Sequence, residues 1–326
     1  MKSVTVVAHP NIALAKYWGK RGGDGNVPAV PSLSVTLSGM STTTTVTFDD
    51  GLAGDELVLN GAIVGDRPLA RVTALLDVVR REANIGAHAR VVSRNDFPTA
   101  SGLASSASGF AALALAAVRA AHLDWSRPRV SDLARRSSAS AARSLFGGFV
   151  ELDGGEGAPG LALPVAGPDA IDLRVLVCVA TEDAKLISST EGMRVTQETS
   201  PYYAAWLTEG PLLCARIRDG VLAGDFRAVG ECAERSALAM HACAMAAGVV
   251  YVSGTTLAAL AEVRAMRALG IDAYATIDAG PHLKCLVTSQ SMHDAKTRLA
   301  RVPGVVRILE TSPGPGARVL EEGTDR

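Results

Sequence analysis

Long runs of like charge are missing from these 326 residues, and 32 basic against 33 acidic side chains leave a formal net charge of -1. A broad electrostatic footprint for nucleic acid or for an anionic membrane surface is therefore excluded, and any anionic substrate must meet positive charge that is local. Paired cysteines are missing too. Cys178, Cys214, Cys232, Cys243 and Cys285 are odd in number, with no CxxC pair and no Cys/His spacing suited to zinc, so reduced and mostly buried thiols are expected. The Ala-rich run from Phe110 to Val118 is shorter than the about 20 residues that span a bilayer. Before His9 and Pro10 there is only a short apolar run, without the h-region and cleavage site of a signal peptide, and a soluble, cytoplasmic protein is expected. The only Gly-Lys pair, Gly19-Lys20, lacks the upstream glycine of a Walker A loop and is followed by Arg21; a Rossmann fingerprint is absent as well.

What is present is a hydrophobic content of 48%, enough for one large domain or two fused lobes. No internal repeat appears. A loose stretch from Asp153 to Gly160 suggests a lobe boundary, giving 1–165 and 166–326, and the tail from Ser312 onward is similarly loose. In the first part, β-branched segments at Ser34 to Leu37 and Thr43 to Phe48 read as strands, and Arg71 to Arg81 has helical spacing. In the second, Leu173 to Ala180 reads as a buried strand, Asp225 to Ala247 and Thr255 to Ala268 as helices, and Ala273 to Ile277 and Leu283 to Thr288 as paired strands. The mixture predicts an α+β protein of two lobes with its site in the cleft between them.

A small-residue loop, Asn95 to Gly109, feeds the predicted buried helix Phe110 to Leu123. Unpaired N–H groups at a helix start, with Gly and Ser that admit a polyphosphate closely, make a phosphate cradle; the same composition also fits a serine-capped buried helix. The order Pro-x-x-x-Gly-Leu-x-Ser-Ser-Ala, Pro98 to Ala107, resembles the ATP-phosphate loop of the GHMP small-molecule kinases. Pro10 to Arg21 (PNIALAKYWGKR) is similar to the N-terminal signature of the diphosphomevalonate decarboxylase family, and Ser138 to Gly148 (SASAARSLFGG) to its substrate-binding segment. Two further matches, Ser188 to Met193 and Asp278 to Pro281, follow in family order. Small-residue choices in the Ser138 segment depart from the family form, and His282 stands where Asn is familiar.

The resemblance implies a two-lobed GHMP kinase fold, with an N-terminal ribosomal-protein-S5-like lobe and a C-terminal ferredoxin-like lobe. It implies ATP-dependent phosphorylation of a tertiary 3-hydroxyl on (R)-5-diphosphomevalonate, then loss of phosphate and carbon dioxide to give isopentenyl diphosphate. Asp278 is then the carboxylate at the hydroxyl, Lys16 supports the same centre, and Arg143 holds the substrate carboxylate, with Ser138 and Ser140 adding hydroxyls. Ala139, Ala141 and Ala142 belong to that segment. Taken without the resemblance, Asp278 reads as a turn-stabilising residue and Lys16, beside Tyr17 and Trp18, as a snorkelling one. The diphosphate end falls to Tyr17, Lys20 and the Ser188 to Thr190 segment, with Arg67 preferred to Arg71 and with Arg194 in addition; Trp18 and Gly19 count as further substrate-binding residues. Pro98, Ser101, Gly102, Leu103, Ala104, Ser105, Ser106 and Ser108 are assigned to ATP, with Mg2+ as counter-charge. A homodimer is implied, with Tyr202, Tyr203 and Trp206 as interface or core residues. A phosphomevalonate decarboxylase, a mevalonate 3-kinase and a non-catalytic nucleotide-binding protein remain the alternatives.

Overall fold

The structure is a computed structural model that describes residues 2–22, 25–97, 105–181 and 187–324. The first part of the chain holds β1 (Lys2–Ala8), β2 (Asn11–Ala15), β3 (Ser32–Thr36), β4 (Thr42–Asp49), β5 (Glu56–Leu59) and β6 (Ala62–Ile63). After these come α1 (Asp66–Ala83), β7 (His88–Asn95), α2 (Ser105–Ala120), α3 (Arg127–Ser137), α4 (Ala141–Ser144), β8 (Phe149–Leu152) and β9 (Ala162–Ala166). The second part holds β10 (Arg174–Val179), α5 (Ser189–Thr199), α6 (Tyr203–Ala223), α7 (Phe226–Ala246) and α8 (Gly254–Ala268). It ends with β11 (Ala273–Ile277), β12 (Leu283–Val287), α9 (Met292–Leu299), β13 (Arg307–Thr311) and β14 (Arg318–Thr324).

Every strand and helix expected from periodicity forms, with ends displaced by a few residues. The Ala-rich helix α2 is buried on nearly all sides because it runs between a sheet and three helices. Its alanines let it approach Val4, Val6, Val46 and Val91 on the sheet while Val72, Leu76, Val130 and Leu133 close on it from α1 and α3. β4 alternates buried and half-buried residues along TTTTVTFD, as a strand with one face on a core must.

Among the described residues three sheets result: β14-β1-β4-β7-β5-β6, β2-β3-β8-β9 and β11-β12-β10-β13. Among the described residues all strand pairings are antiparallel except β5 with β7. The chain end returns to the start, since β14 pairs with β1 from Lys2↔Thr324 to Val7↔Arg318. A second lobe made of everything from 166 to 326 therefore loses its last strand to the first sheet; the 165/166 boundary itself we retain only as a proposal. The sheet β11-β12-β10-β13 packs one face on α8 and α9 through Cys178, Ile277, Leu283 and Cys285. Its other face, through Val175, Val177, Tyr274 and Leu286, shares a core with Ile12, Leu14, Leu33 and Val35 of the sheet β2-β3-β8-β9. This shared core brings the end of β2 against the end of β11, and the candidate site lies there.

All five cysteines are free, and burial pushes the Cys178 and Cys214 thiols up to about 12. The expectation of reduced, mostly buried thiols holds, with Cys232 half-buried.

Candidate active site

A cavity of about 710 Å³ is walled by residues of both parts of the chain, among them Lys16, Ser138 and Arg143 from the first and Ser188, Met240 and Asp278 from the second. Asp278 follows β11 directly. Gly280 N–H donates back to the Asp278 carbonyl at 2.7 Å, making the tight turn that aims the carboxylate sideways. Lys16 Nζ lies 2.6 Å from Asp278 Oδ1, and Lys284 Nζ lies 3.0 Å from Oδ2. The Lys16 ammonium also donates to the Ala13 carbonyl at 2.8 Å, and its backbone N–H donates to Ser236 Oγ on α7 at 3.0 Å. Far from snorkelling, Lys16 is 2% exposed and held at both ends.

Burial alone would raise the Asp278 carboxyl, but Lys16 and Lys284 overcome it and hold the group far below the usual carboxylate range. Burial pulls Lys16 down to about 8 against the raising influence of Asp278. With Lys16 serving the reaction, the free enzyme should lose kcat/KM as pH rises through about 8, because the ammonium that faces Asp278 deprotonates there. A pH profile flat through that region contradicts the assignment of Lys16 to the reacting centre.

Arg143 sits in α4, 2% exposed, and donates to Ser32 Oγ. No carboxylate among the described residues pairs with it, and burial lowers its guanidinium to about 10. The turn that carries it is pinned by Asn11, whose Nδ2 donates to the Ser140 carbonyl at 2.9 Å and to Ser144 Oγ at 2.8 Å. Ser138 and Ser140, with their hydroxyls 3.2 Å apart, and Ala139 line the cavity beside Arg143. Ala141 and Ala142 do not; they are fully buried core residues that seat α4.

Lys20, Arg67 and Arg71 form the cationic part of the wall, and none of the three pairs with a carboxylate among the described residues. Arg71 lies 4.5 Å above the Phe110 ring and donates to the Ser137 carbonyl at 2.8 Å. Burial, reinforced by Arg67, depresses the Arg71 guanidinium, and burial with Arg71 depresses Lys20. The choice between Arg67 and Arg71 is thus not exclusive, since both line the cavity. Lys20 is positioned by Gln197, which takes its N–H at 3.0 Å and donates to its carbonyl at 2.8 Å, and by Asn26, whose Oδ1 accepts from Nζ at 2.7 Å. Ser188 caps α5 by accepting from Glu191 N–H, and with Ser189 and Thr190 it completes this wall together with Tyr17 and Trp18.

Several expected positions fall elsewhere. Arg194 is 55% exposed, paired with Glu191 and Glu198 on its own helix, and does not line the cavity. Ser108 is fully buried and hydrogen-bonded to Thr42 Oγ1 at 2.6 Å, which turns it from the cavity into the core. Gly19 does not line the cavity; it holds φ +102°, and an added Cβ would meet Tyr203 Oη at 2.1 Å. Gly19→Ala should cost about 1–3 kcal/mol and raise KM by displacing Lys20, checked by Tm and kinetics. Trp206 is 2% exposed with its Nε1–H on the Trp18 carbonyl, so it belongs to the core, while Tyr202 is 58% exposed. Pro98, Ser101, Gly102, Leu103 and Ala104 lie outside the described residues. Ser106 lines the main cavity, and Ser105 and Ser106 line an adjoining pocket of about 210 Å³ walled by Leu57, Val91 and Phe110 with Thr42 and Ser93 hydroxyls. Sequence reasoning passed over that pocket and also missed Lys284, Asn11, Asn26 and Gln197. Lys284 did leave a signal, as a single lysine inside an apolar strand. His282 is 1% exposed, its Nδ1 accepting from Ala180 N–H at 3.2 Å.

Residues 8–160 match the diphosphomevalonate decarboxylase-like N-terminal domain, and residues 175–312 match the mevalonate 5-diphosphate decarboxylase C-terminal domain. The diphosphomevalonate decarboxylase of Candida albicans is 32% identical over 359 residues, covering 99% of each chain. The phosphomevalonate decarboxylase of Haloferax volcanii is 34% identical over 322 residues, covering 98% of each. A solved structure described as MDDEF in complex with MVAPP, AMPPCP and magnesium superposes with a TM-score of 0.90 at 37% identity, covering 98% of this chain and 100% of that one. With both domains matched in order and the cavity at their junction, this chain belongs to the diphosphomevalonate decarboxylase family.

Proposed function

We propose that the cavity carries out the ATP-dependent decarboxylation of (R)-5-diphosphomevalonate to isopentenyl diphosphate, with ADP, phosphate and carbon dioxide as the other products. The observation that carries this reading is the buried Arg143 guanidinium, which has no carboxylate partner among the described residues and lines the same cavity as Asp278 and Lys16. A desolvated cation of this kind calls for an anion from outside, and a planar guanidinium suits a carboxylate.

Asp278 accepts the hydrogen bond of the substrate's 3-hydroxyl and orients it toward the γ-phosphoryl of ATP. The oxygen–phosphorus bond forms as the bond to ADP breaks, and the proton leaves the hydroxyl late, in keeping with a loose transition state. Lys16 stabilises charge on the transferred group. The 3-phosphate then departs with the C–O electron pair, the electrons of the carbon–carboxylate bond become the alkene, and carbon dioxide is released. Arg143 keeps the carboxylate ionised and in place until that bond breaks. The adjoining pocket near Ser105 and Ser106, mostly apolar with hydroxyls in its lining, suits the nucleobase of ATP. Among the described residues no cluster of three His, Cys, Asp or Glu side chains could hold a metal. Mg2+ would sit on the nucleotide phosphates, with the Ser106 hydroxyl at hand, and would neutralise phosphate charge.

Lys20, Arg67 and Arg71 support a diphosphate over a monophosphate, because three cations without carboxylate partners match the charge of the longer group. Arg67→Met and Arg71→Met should each raise KM for the diphosphate by roughly 10- to 150-fold, the worth of a hydrogen bond to a charged group, with little change in kcat. The likeness to a phosphomevalonate decarboxylase favours the rival substrate. ATP turnover that appears only when the mevalonate ligand is present supports catalysis; ATP binding without ligand-dependent turnover contradicts it. We further expect a cytoplasmic homodimer. Among the described residues no helix is long and apolar enough to cross a membrane. Sedimentation at micromolar concentration showing only a 33.7 kDa species contradicts the dimer.

A further inference from the structure

Lys284 stands inside β12, LKCLV, a strand buried at every position, and its side chain is 3% exposed. An ammonium placed there loses its hydration and is retained only where protein charge or hydrogen bonds replace the water. The replacement is Asp278 Oδ2 at 3.0 Å. Strand register brings the two together: Lys284 lies opposite Thr276 of β11, and the two-residue alternation puts Thr276, Asp278 and Lys284 on one face. That face looks to the other sheet, since Thr276 Oγ1 donates to the Ala13 carbonyl of β2 at 3.2 Å, the same carbonyl that receives Lys16 Nζ.

Charge neutrality does not explain this lysine. Lys16 alone compensates Asp278, and Lys284 leaves the cluster with two buried cations for one anion. We infer that Lys284 is a positioning residue for phosphoryl transfer: by holding Oδ2 it fixes the plane of the Asp278 carboxylate, so that Oδ1, shared with Lys16, meets the substrate's hydroxyl. The inference rests on the decarboxylase reading above. A single ammonium leaves a carboxylate free to turn about its Cβ–Cγ bond, whereas ammoniums on both oxygens do not. Arg143 from α4 and His241 from α7 are further charged or titratable groups that act on Asp278, and both are unchanged in the variants that follow.

The test is a double-mutant cycle on the full chain, with single-turnover rates in the slow variants. Lys284→Met should lower kcat roughly 100-fold, the cost of a small misplacement at a reacting centre, while KM for the organic substrate stays within about threefold. In the Asp278→Asn background the same change should lower kcat less than about twofold, because the carboxylate it positions is gone. Equal losses in the two backgrounds, or wild-type kcat in Lys284→Met, overturn the inference and leave Lys284 structural. Should Lys284→Met fail to fold, Lys284→Arg decides: it keeps the charge but changes its shape, and kcat about tenfold down is expected, whereas wild-type kcat overturns the inference. If the wild-type protein releases no carbon dioxide, the decarboxylase reading fails, and the clamp is then read alone by carbon-13 NMR of the Asp278 carboxyl. A titration moved to higher pH in Lys284→Met supports the clamp, and an unmoved one overturns it.

Discussion

Asp278→Asn is expected to lower kcat by roughly 10²–10⁴-fold while KM for the organic substrate changes by less than about threefold. Asparagine keeps the shape and one acceptor oxygen but cannot receive the hydroxyl proton. Two ammoniums hold Asp278 far below the usual carboxylate range, so in the resting enzyme it is ionised and a weak base. Under the proposed mechanism its contribution is to orient the hydroxyl and to take the proton only when the oxygen–phosphorus bond is well formed, which steady-state kinetics beside a binding measurement can separate. Lys16 and Lys284 lose their counter-charge in this variant, and Tm should fall as well. Equal loss of binding and turnover would make Asp278 a structural turn residue.

Arg143→Met is expected to act oppositely on stability and activity. The wild-type guanidinium is buried with Ser32 Oγ as its one side-chain hydrogen-bond partner among the described residues, so replacing it with an apolar side chain of similar length removes a desolvated charge. The ligand-free protein should be as stable as wild type or more so, by up to about 4 kcal/mol, the gain seen when buried ionic groups give way to apolar ones. The substrate carboxylate would then enter a buried site without its partner, at a cost of about 2–5 kcal/mol, so kcat/KM should fall roughly 30- to 5,000-fold. Thermal denaturation beside steady-state kinetics checks both halves. A large drop in Tm with kcat/KM near wild type would mean that Arg143 serves the core and not the substrate.

The sequence carried the fold where periodicity was strong, as in α2, α7, α8 and the strands β10 to β12. It pointed to residues that meet in one cavity where a contiguous motif names them, as for Lys16, Arg143 and Asp278, whose catalytic roles stay part of the proposal. What it hid depends on register and direction. Lys284 meets Asp278 only because Thr276 pairs with Lys284 across two strands, and no local pattern states that pairing. Arg67 and Arg71 lie one helical turn apart on α1 and both reach the cavity, which a choice between them could not anticipate. Ser108 shares the loop's composition but points from α2 into the core, and Arg194 follows a cavity-lining segment yet turns outward to Glu191 and Glu198. Asn26 and Gln197 act through Lys20, and such supporting roles leave no trace in residue type. The return of β14 to β1 joins residues more than 300 positions apart and is invisible to any local reading.

The most direct test of the central claim is to incubate the purified protein with ATP and magnesium and either 5-diphosphomevalonate or 5-phosphomevalonate, following ADP, carbon dioxide and the alkene by mass spectrometry. The account predicts isopentenyl diphosphate from the diphosphate, with carbon dioxide and ADP formed in equal amounts. ADP without carbon dioxide would make the protein a 3-kinase, and alkene from the monophosphate alone would contradict the assignment of Lys20, Arg67 and Arg71 to a diphosphate.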